Sequence, residues 1–135
     1  MISASLEDYL EFIHNTIKQN KEIKAIDISN HFKISRPSVS EALIRLMDLD
    51  LIIYEGRKGI KITQKGVKEA QKIINKHNIL FDFFNQILMM NNEISTKNAC
   101  DIEHVIDDKT IKKLKEFNLY CKKNSIPEAF KESKQ

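Results

Sequence analysis

The sequence predicts a mainly α-helical chain carrying one small β-hairpin, and three observations support that fold class. Glycine and proline number only 3 and 2 in 135 residues, and tryptophan is absent, so tight turns are few. Apolar residues recur at three- and four-residue spacing through most of the chain. The exception is residues 51–63, where two short β-rich runs flank the turn Glu55-Gly56-Arg57-Lys58-Gly59.

Residues 5–19 place Leu6, Tyr9, Leu10, Ile13 and Ile17 on one helical face. Ser5 is the expected N-cap, with Asp8 closing a capping box. His14, on the same helix, is expected to be partly exposed. A short second helix follows over residues 25–32, with Ile26, Ile28 and Phe32 inward. Lys33-Ile34-Ser35 is a turn. Ser35 before Arg36-Pro37 marks a helix start, because serine caps and proline is tolerated in a first turn. That third helix runs to about Asp48, with Val39, Leu43, Leu46 and Met47 inward and Arg36, Ser38, Ser40, Glu41, Ile44 and Arg45 outward. Two helices joined by a tight turn, the second with a polar outer face, make a helix-turn-helix pattern. Leu51–Tyr54 and Ile60–Thr63 then read as strands around the basic turn. Strand, basic turn and strand directly after a helix-turn-helix form a winged helix, with Arg57 and Lys58 at the tip where a wing meets phosphate.

Thr63 is the expected N-cap of a long helix reaching about Met90. Its first half is polar and basic. From Ile79 to Met90 it is apolar nearly all round, through Leu80, Phe83, Phe84, Ile87 and Leu88. Such a helix must be buried on most faces. In a short chain the simplest cover is a second copy, so a twofold homodimer is expected at these residues. Asn91-Asn92-Glu93 breaks the helix, and Ser95 caps another over about 95–106. Asp107-Asp108 introduces a last helix, about 108–122, with Ile111, Leu114 and Leu119 inward. Residues 124–135 are polar and read as a frayed tail.

Charge is uneven. The net formal charge is +3, but residues 1–32 carry −2, residues 33–76 carry +5, and residues 77–135 are neutral. All the basic excess therefore falls on the winged helix and the start of the long helix, as expected of a nucleic-acid footprint. No apolar run is long enough to cross a membrane, and no signal peptide is apparent. Two cysteines, Cys100 and Cys121, do not make a disulfide framework, which points to a reducing, cytoplasmic setting.

The stretch Ala99-Cys100-Asp101-Ile102-Glu103-His104 reads as helix. Residues three and four apart share a face, so Cys100, Glu103 and His104 align a thiol, a carboxylate and an imidazole within about one turn. These are three metal-ligand types. Equally, Cys100 can be a small apolar residue with Glu103 and His104 solvated. Further candidates are Asp8 and Glu11, three apart on the first helix, and His77 on the long helix. Three carboxylates, two imidazoles and one sulfur suit Mn, Fe, Co, Ni or Zn better than Mg or Ca, which favour oxygen alone.

SLEDYLEFI, SRPSVSEALIRL, GIKITQKGVKEAQKIINKH and ACDIEHVIDD, in this order and spacing, resemble the DtxR/MntR family of metal-dependent repressors. The resemblance spans residues 5 to about 120, and the ACxxEH stretch paired with a preceding histidine is its most specific part. Many members carry an added domain like an SH3 barrel; this chain resembles the two-domain, manganese-regulator type without it. The resemblance implies a winged-helix DNA-binding domain over residues 1–72, a helical metal-binding and dimerisation domain over 73–123, and a polar tail over 124–135. It implies ligand positions at Asp8, Glu11, His77, Glu103 and His104. Cys100 stands where manganese regulators often have Glu and iron-responsive members often have Cys. Asp8 matches the manganese type. Phe81 stands where the iron type has a Glu of its second metal site, and His14 where the family usually has Tyr.

The function so implied is a cytoplasmic, homodimeric regulator, not an enzyme, activated by Mn2+ or Fe2+ (with Co2+, Ni2+ or Zn2+ able to substitute in vitro) to bind a pseudo-palindromic DNA operator. Ser38, Ser40, Glu41 and Arg45 are the candidates for base edges. Arg36, Arg57, Lys58 and Lys61 are the candidates for phosphate. The alternative is a winged-helix regulator that senses no metal, either responding to redox change through Cys100 or acting constitutively.

Overall fold

A computed structural model describes residues 2–134. The chain divides into two compact units, residues 1–72 and 73–135.

In the first unit, α1 (Ala4–Lys18) is capped by Ser3, whose hydroxyl accepts the Leu6 N–H at 3.3 Å. The cap is therefore two residues earlier than Ser5, and Asp8 is not part of a capping box. Either serine can cap; starting at Ser3 gives the helix about another half-turn. His14 is buried rather than partly exposed, at 7% exposure, and its Nδ1 has no partner among the described residues. The α2 helix (Ala25–Phe32) begins where the Asp27 carboxylate accepts the Lys24 N–H at 2.8 Å. Ile28 is fully buried but Ile26 is 38% exposed. Two residues apart on a helix are about 200° apart, so both could not face inward. Lys33, in a left-handed conformation (φ 55), ends α2. Ser35 then caps α3 (Arg36–Asp48), accepting the Ser38 N–H at 3.3 Å.

Leu6, Leu10 and Ile13 of α1 meet Ile28 of α2 and Val39, Ala42, Leu43 and Leu46 of α3 in one core. The hairpin of β1 (Ile52–Tyr54) and β2 (Ile60–Ile62) closes it, antiparallel with Ile52 opposite Ile62. A 3-10 turn over Gly56–Lys58 joins the strands. Gly59 has φ 84, and an added Cβ would lie 3.2 Å from the Ile23 carbonyl oxygen. That same carbonyl accepts the Ile60 N–H at 2.9 Å, so the α1–α2 connection is stitched to the wing at a point where only glycine sits without strain.

The long helix α4 (Gln64–Asp82) starts at Thr63, whose hydroxyl accepts the Gly66 N–H at 3.0 Å and donates to the Asp50 carbonyl at 2.7 Å. Its α-helical pattern ends earlier than expected. Phe83–Ile87 form a π turn, and Met89 takes a left-handed φ of 59. In the second unit, α5 (Asn92–Ile102) is capped by Asn91, which accepts the Ile94 N–H at 2.8 Å. Ser95 is not the cap. It is buried one turn into the helix and donates to the Met90 carbonyl. Asn91 and Ser95 are both competent caps, and the chain uses the earlier one.

The α6 helix (Asp108–Lys123) is capped by Asp107, and α7 (Ile126–Ser133) follows. The tail is thus helical, with Pro127 buried. On α6 the buried positions are Ile111, Asn118 and Cys121, whereas Leu119 is 60% exposed. The three buried positions keep the helical period that Leu119 breaks. Ile79, Leu80, Ala99 and Ile111 make the second core, flanked by Phe81, Phe84, Ile102, Ile106 and Leu114. Leu80 and Ile87 are buried within the chain itself, Phe83 and Phe84 are half-buried, and Leu88 is exposed. Among the described residues no helix is long and apolar enough to cross a membrane.

Candidate metal centre and nucleic-acid interface

His77 projects from α4, Cys100 from the last turn of α5, and Glu103 is the residue that ends α5. The His77 Nδ1, Cys100 Sγ and a Glu103 carboxylate oxygen all lie within 4.8 Å of one another. His77 Nδ1 is 2.8 Å from Glu103 Oε2 and 3.8 Å from Cys100 Sγ. The other carboxylate oxygen, Oε1, is 3.5 Å from His104 Nε2. One carboxylate therefore faces two imidazoles. Glu103 is only 3% exposed, and a buried carboxylate requires charged or hydrogen-bonded partners. Phe81 stacks beside His77 with centroids 6.5 Å apart, one turn further along α4.

The local fold explains this convergence. Ala99 is fully buried, and its small side chain permits α5 to approach α4. The Glu103 N–H still donates to the Ala99 carbonyl at 3.0 Å, so its side chain leaves the helix end in helical direction. His104 lies in the turn beyond α5 rather than on its face. The expected single face of Cys100, Glu103 and His104 is therefore divided: Cys100 and Glu103 join His77, and His104 meets Glu103 from the other side. Asp8 and Glu11 lie on α1 of the first unit.

Chemically, the donors fit a divalent transition ion. An imidazole nitrogen, a thiol sulfur and a carboxylate oxygen in mutual reach match borderline and soft cations, not Mg2+ or Ca2+. The Cys100 sulfur lies within reach of both other donors.

The first unit presents the nucleic-acid candidates. Arg36, Ser38, Ser40, Glu41, Ile44 and Arg45 are all exposed on α3. The Ser38 hydroxyl is within 2.8 Å of the Ser35 hydroxyl, which draws it into the helix cap. Arg57 and Lys58 occupy the wing turn, where Lys58 lies 3.4 Å from Glu55, and Lys61 is exposed on β2. Sequence reasoning missed Lys24 and Tyr54. They line a groove of about 360 Å3 together with Arg36, Ser40, Gly56 and Arg57. Lys24 precedes α2 and carried no motif signal; only its place at a helix N-terminus could have marked it.

Comparison with known proteins matches both parts. Residues 1–60 match the N-terminal DNA-binding domain of iron-dependent repressors, and residues 63–127 match their metal-binding and dimerisation domain. An uncharacterised HTH-type transcriptional regulator of Methanocaldococcus jannaschii is 34% identical over 117 residues, 86% of this chain and 94% of that protein. The HTH-type transcriptional regulator MntR of Shouchella clausii is 28% identical over 124 residues, 92% of this chain and 86% of its own. The solved structure of the manganese regulator SloR superposes with a TM-score of 0.75 at 27% identity, over 85% of this chain. The present chain spans 54% of that structure's length.

Proposed function

The chain belongs to the iron-dependent repressor family of metal-responsive, DNA-binding transcriptional regulators, and from that premise we propose that it binds operator DNA as a cytoplasmic homodimer when loaded with Fe2+ or Mn2+. The observation that carries this reading is the convergence of His77, Cys100 and buried Glu103 in a chain whose other half is a winged helix.

His77, Cys100, Glu103 and His104 are the proposed ligands of the second unit. Asp8 and Glu11 are proposed with them on the resemblance alone. The bound ion supplies two positive charges among carboxylates that repel one another without it. His77 must release Glu103 and present an unprotonated Nδ1 to act as a ligand, so ion uptake is expected to release protons. Asp8 and Glu11 stand on the helix that also contributes Leu6, Leu10 and Ile13 to the core under α3. Restraining α1 therefore restrains the recognition helix, which favours the DNA-competent arrangement by differential binding. Sulfur among the donors favours Fe2+ over Mn2+.

On DNA, α3 enters the major groove with Ser38, Ser40, Glu41 and Arg45 towards base edges, while Arg36, Arg57, Lys58 and Lys61 hold phosphates. Two copies present two such helices to a pseudo-palindromic operator. Exposed Leu88, Met89, Ile94, Phe117, Leu119 and Tyr120 on the second unit support self-association. The test is operator affinity with Fe2+, Mn2+, Co2+ or Zn2+ under anaerobic, reducing conditions. Tightening by Fe2+ beyond Mn2+ is expected. Equal affinity with all four and with chelator defeats the proposal.

A further inference from the structure

We propose that Lys76 is a positioning residue for the ion site, a role that rests on the metal reading above. Lys76 Nζ donates to the Ile106 carbonyl at 2.7 Å and lies 3.1 Å from the Asp108 carboxylate. Its side chain is only 18% exposed, while that of Asp108 is 73% exposed. The carbonyl bond is therefore the sheltered one, and the ion pair is open to solvent.

The acceptor belongs to the link between α5 and α6, residues 103–107, which carries both Glu103 and His104. Consecutive residues of α4 grip this link at its two ends: His77 holds Glu103 and Lys76 holds Ile106. The two grips differ in chemistry. His77 must let go of Glu103 when its Nδ1 turns to the ion. Lys76 is not a ligand and keeps its bond throughout. The link is then anchored to α4 at the moment its other tether is exchanged, so Glu103 and His104 stay aimed at the same place. Without Lys76, ordering the link falls to ion binding itself, and affinity drops accordingly.

The Asp107 cap reinforces the anchor. Its carboxylate accepts the Thr110 N–H at 2.6 Å, fixing the link where α6 begins. The Lys76–Asp108 ion pair is exposed on its acidic side and contributes little.

The experiment is titration of the full chain with Co2+ alone, followed by its d–d absorption, with amide hydrogen exchange of the ion-free protein in parallel. Lys76→Met is expected to weaken Co2+ binding about ten-fold and to speed exchange at Glu103, Val105 and Ile106 while the rest of the chain stays protected. Lys76→Arg restores a donor and should return affinity to within about three-fold of wild type, as should Asp108→Asn. Wild-type affinity in Lys76→Met, or equal losses in Lys76→Met and Lys76→Arg, overturns the positioning role while leaving the metal site standing. A wild-type chain that takes up no Co2+ overturns both.

Discussion

Replacing Glu103 by Gln separates binding from folding more sharply than any other single change. The side chain keeps its size and one carbonyl oxygen, but loses its charge. In the ion-free protein its main partner is His77 Nδ1 at 2.8 Å, while His104 Nε2 at 3.5 Å is too distant for a strong hydrogen bond. A hydrogen bond to a charged group contributes about 1.5–3 kcal/mol, and a neutral one about 0.5–1.5 kcal/mol. The exchange therefore removes about 1 kcal/mol, and part of that is offset because a neutral amide at 3% exposure costs less to bury than a carboxylate. A change of this size, less than about 1 kcal/mol, moves the melting temperature by about 4 °C or less. The effect on ion affinity is of another order. Loss of a group that merely hydrogen-bonds a ligand costs about 10–100-fold, so loss of an anionic ligand facing two imidazoles should exceed about 100-fold. Calorimetric titration with Co2+ and a thermal melt of the ion-free protein measure both numbers. Affinity within about three-fold of wild type would refute the ligand role. A collapse of the ion-free melt would show that Glu103 serves the fold instead.

Three further outcomes follow from particular contacts. Gly66→Ala places a Cβ into the Leu51 carbonyl oxygen and 2.7 Å from the Ile62 side chain. Overpacking of about 1–3 kcal/mol outweighs the helix propensity gained, about 1 kcal/mol, so the thermal midpoint should fall. The Asp107 carboxyl is held below its ordinary value, chiefly by the hydrogen bond from the Thr110 backbone. Its stabilisation is present above the unfolded value near 3.8 and is lost as pH falls through the lower folded value. Asp107→Asn should keep a cap but flatten that acid limb in denaturation at successive pH values. Arg57→Ala should weaken DNA binding similarly across sequences and lower the slope of log affinity against log salt by about 1; an unchanged slope removes Arg57 from the phosphate contacts.

The sequence made the winged helix legible because its signals are local. Ser35 before Pro37, the alternation around Gly56 and Gly59, and Thr63 before Gly66 each act over three or four residues, and each stands where local chemistry put it. The errors share a physical cause. Ser3 and Ser5 are equally good caps, as are Asn91 and Ser95, and tertiary packing made the choice. Leu119 looks inward by type, but helical phase selects Asn118 and Cys121, one position before it and two after it. The apolar run from Ile79 suggested a surface awaiting a partner, yet Leu80 and Ile87 are consumed by the chain's own core. The exposed apolar surface is shared between the end of that run, at Leu88 and Met89, and α6, at Phe117, Leu119 and Tyr120.

At the site, the donor types were readable from the residues, whereas the pairing of His77 with the ACxxEH stretch came from the family resemblance and not from spacing. The division of Cys100 and His104 to opposite sides of Glu103 was not, because it depends on α5 ending at Ile102. Helix ends are set by capping and packing, and the periodicity that identifies a helix says little about where it stops. Lys76 was invisible for a similar reason. Its acceptor is a backbone carbonyl 30 residues away, and backbone acceptors leave no residue signature.

On the proposed function, ion binding by His77, Cys100 and Glu103 governs DNA binding by the winged helix. Its most direct test is fluorescence anisotropy of a labelled operator duplex titrated with the anaerobic, reduced protein, once with Fe2+ and once with chelator, alongside His77→Ala. The ion is expected to tighten binding at least about ten-fold, corresponding to a coupling of about 1.4 kcal/mol, and not at all in His77→Ala. Equal affinity of the wild-type protein with ion and with chelator would contradict it.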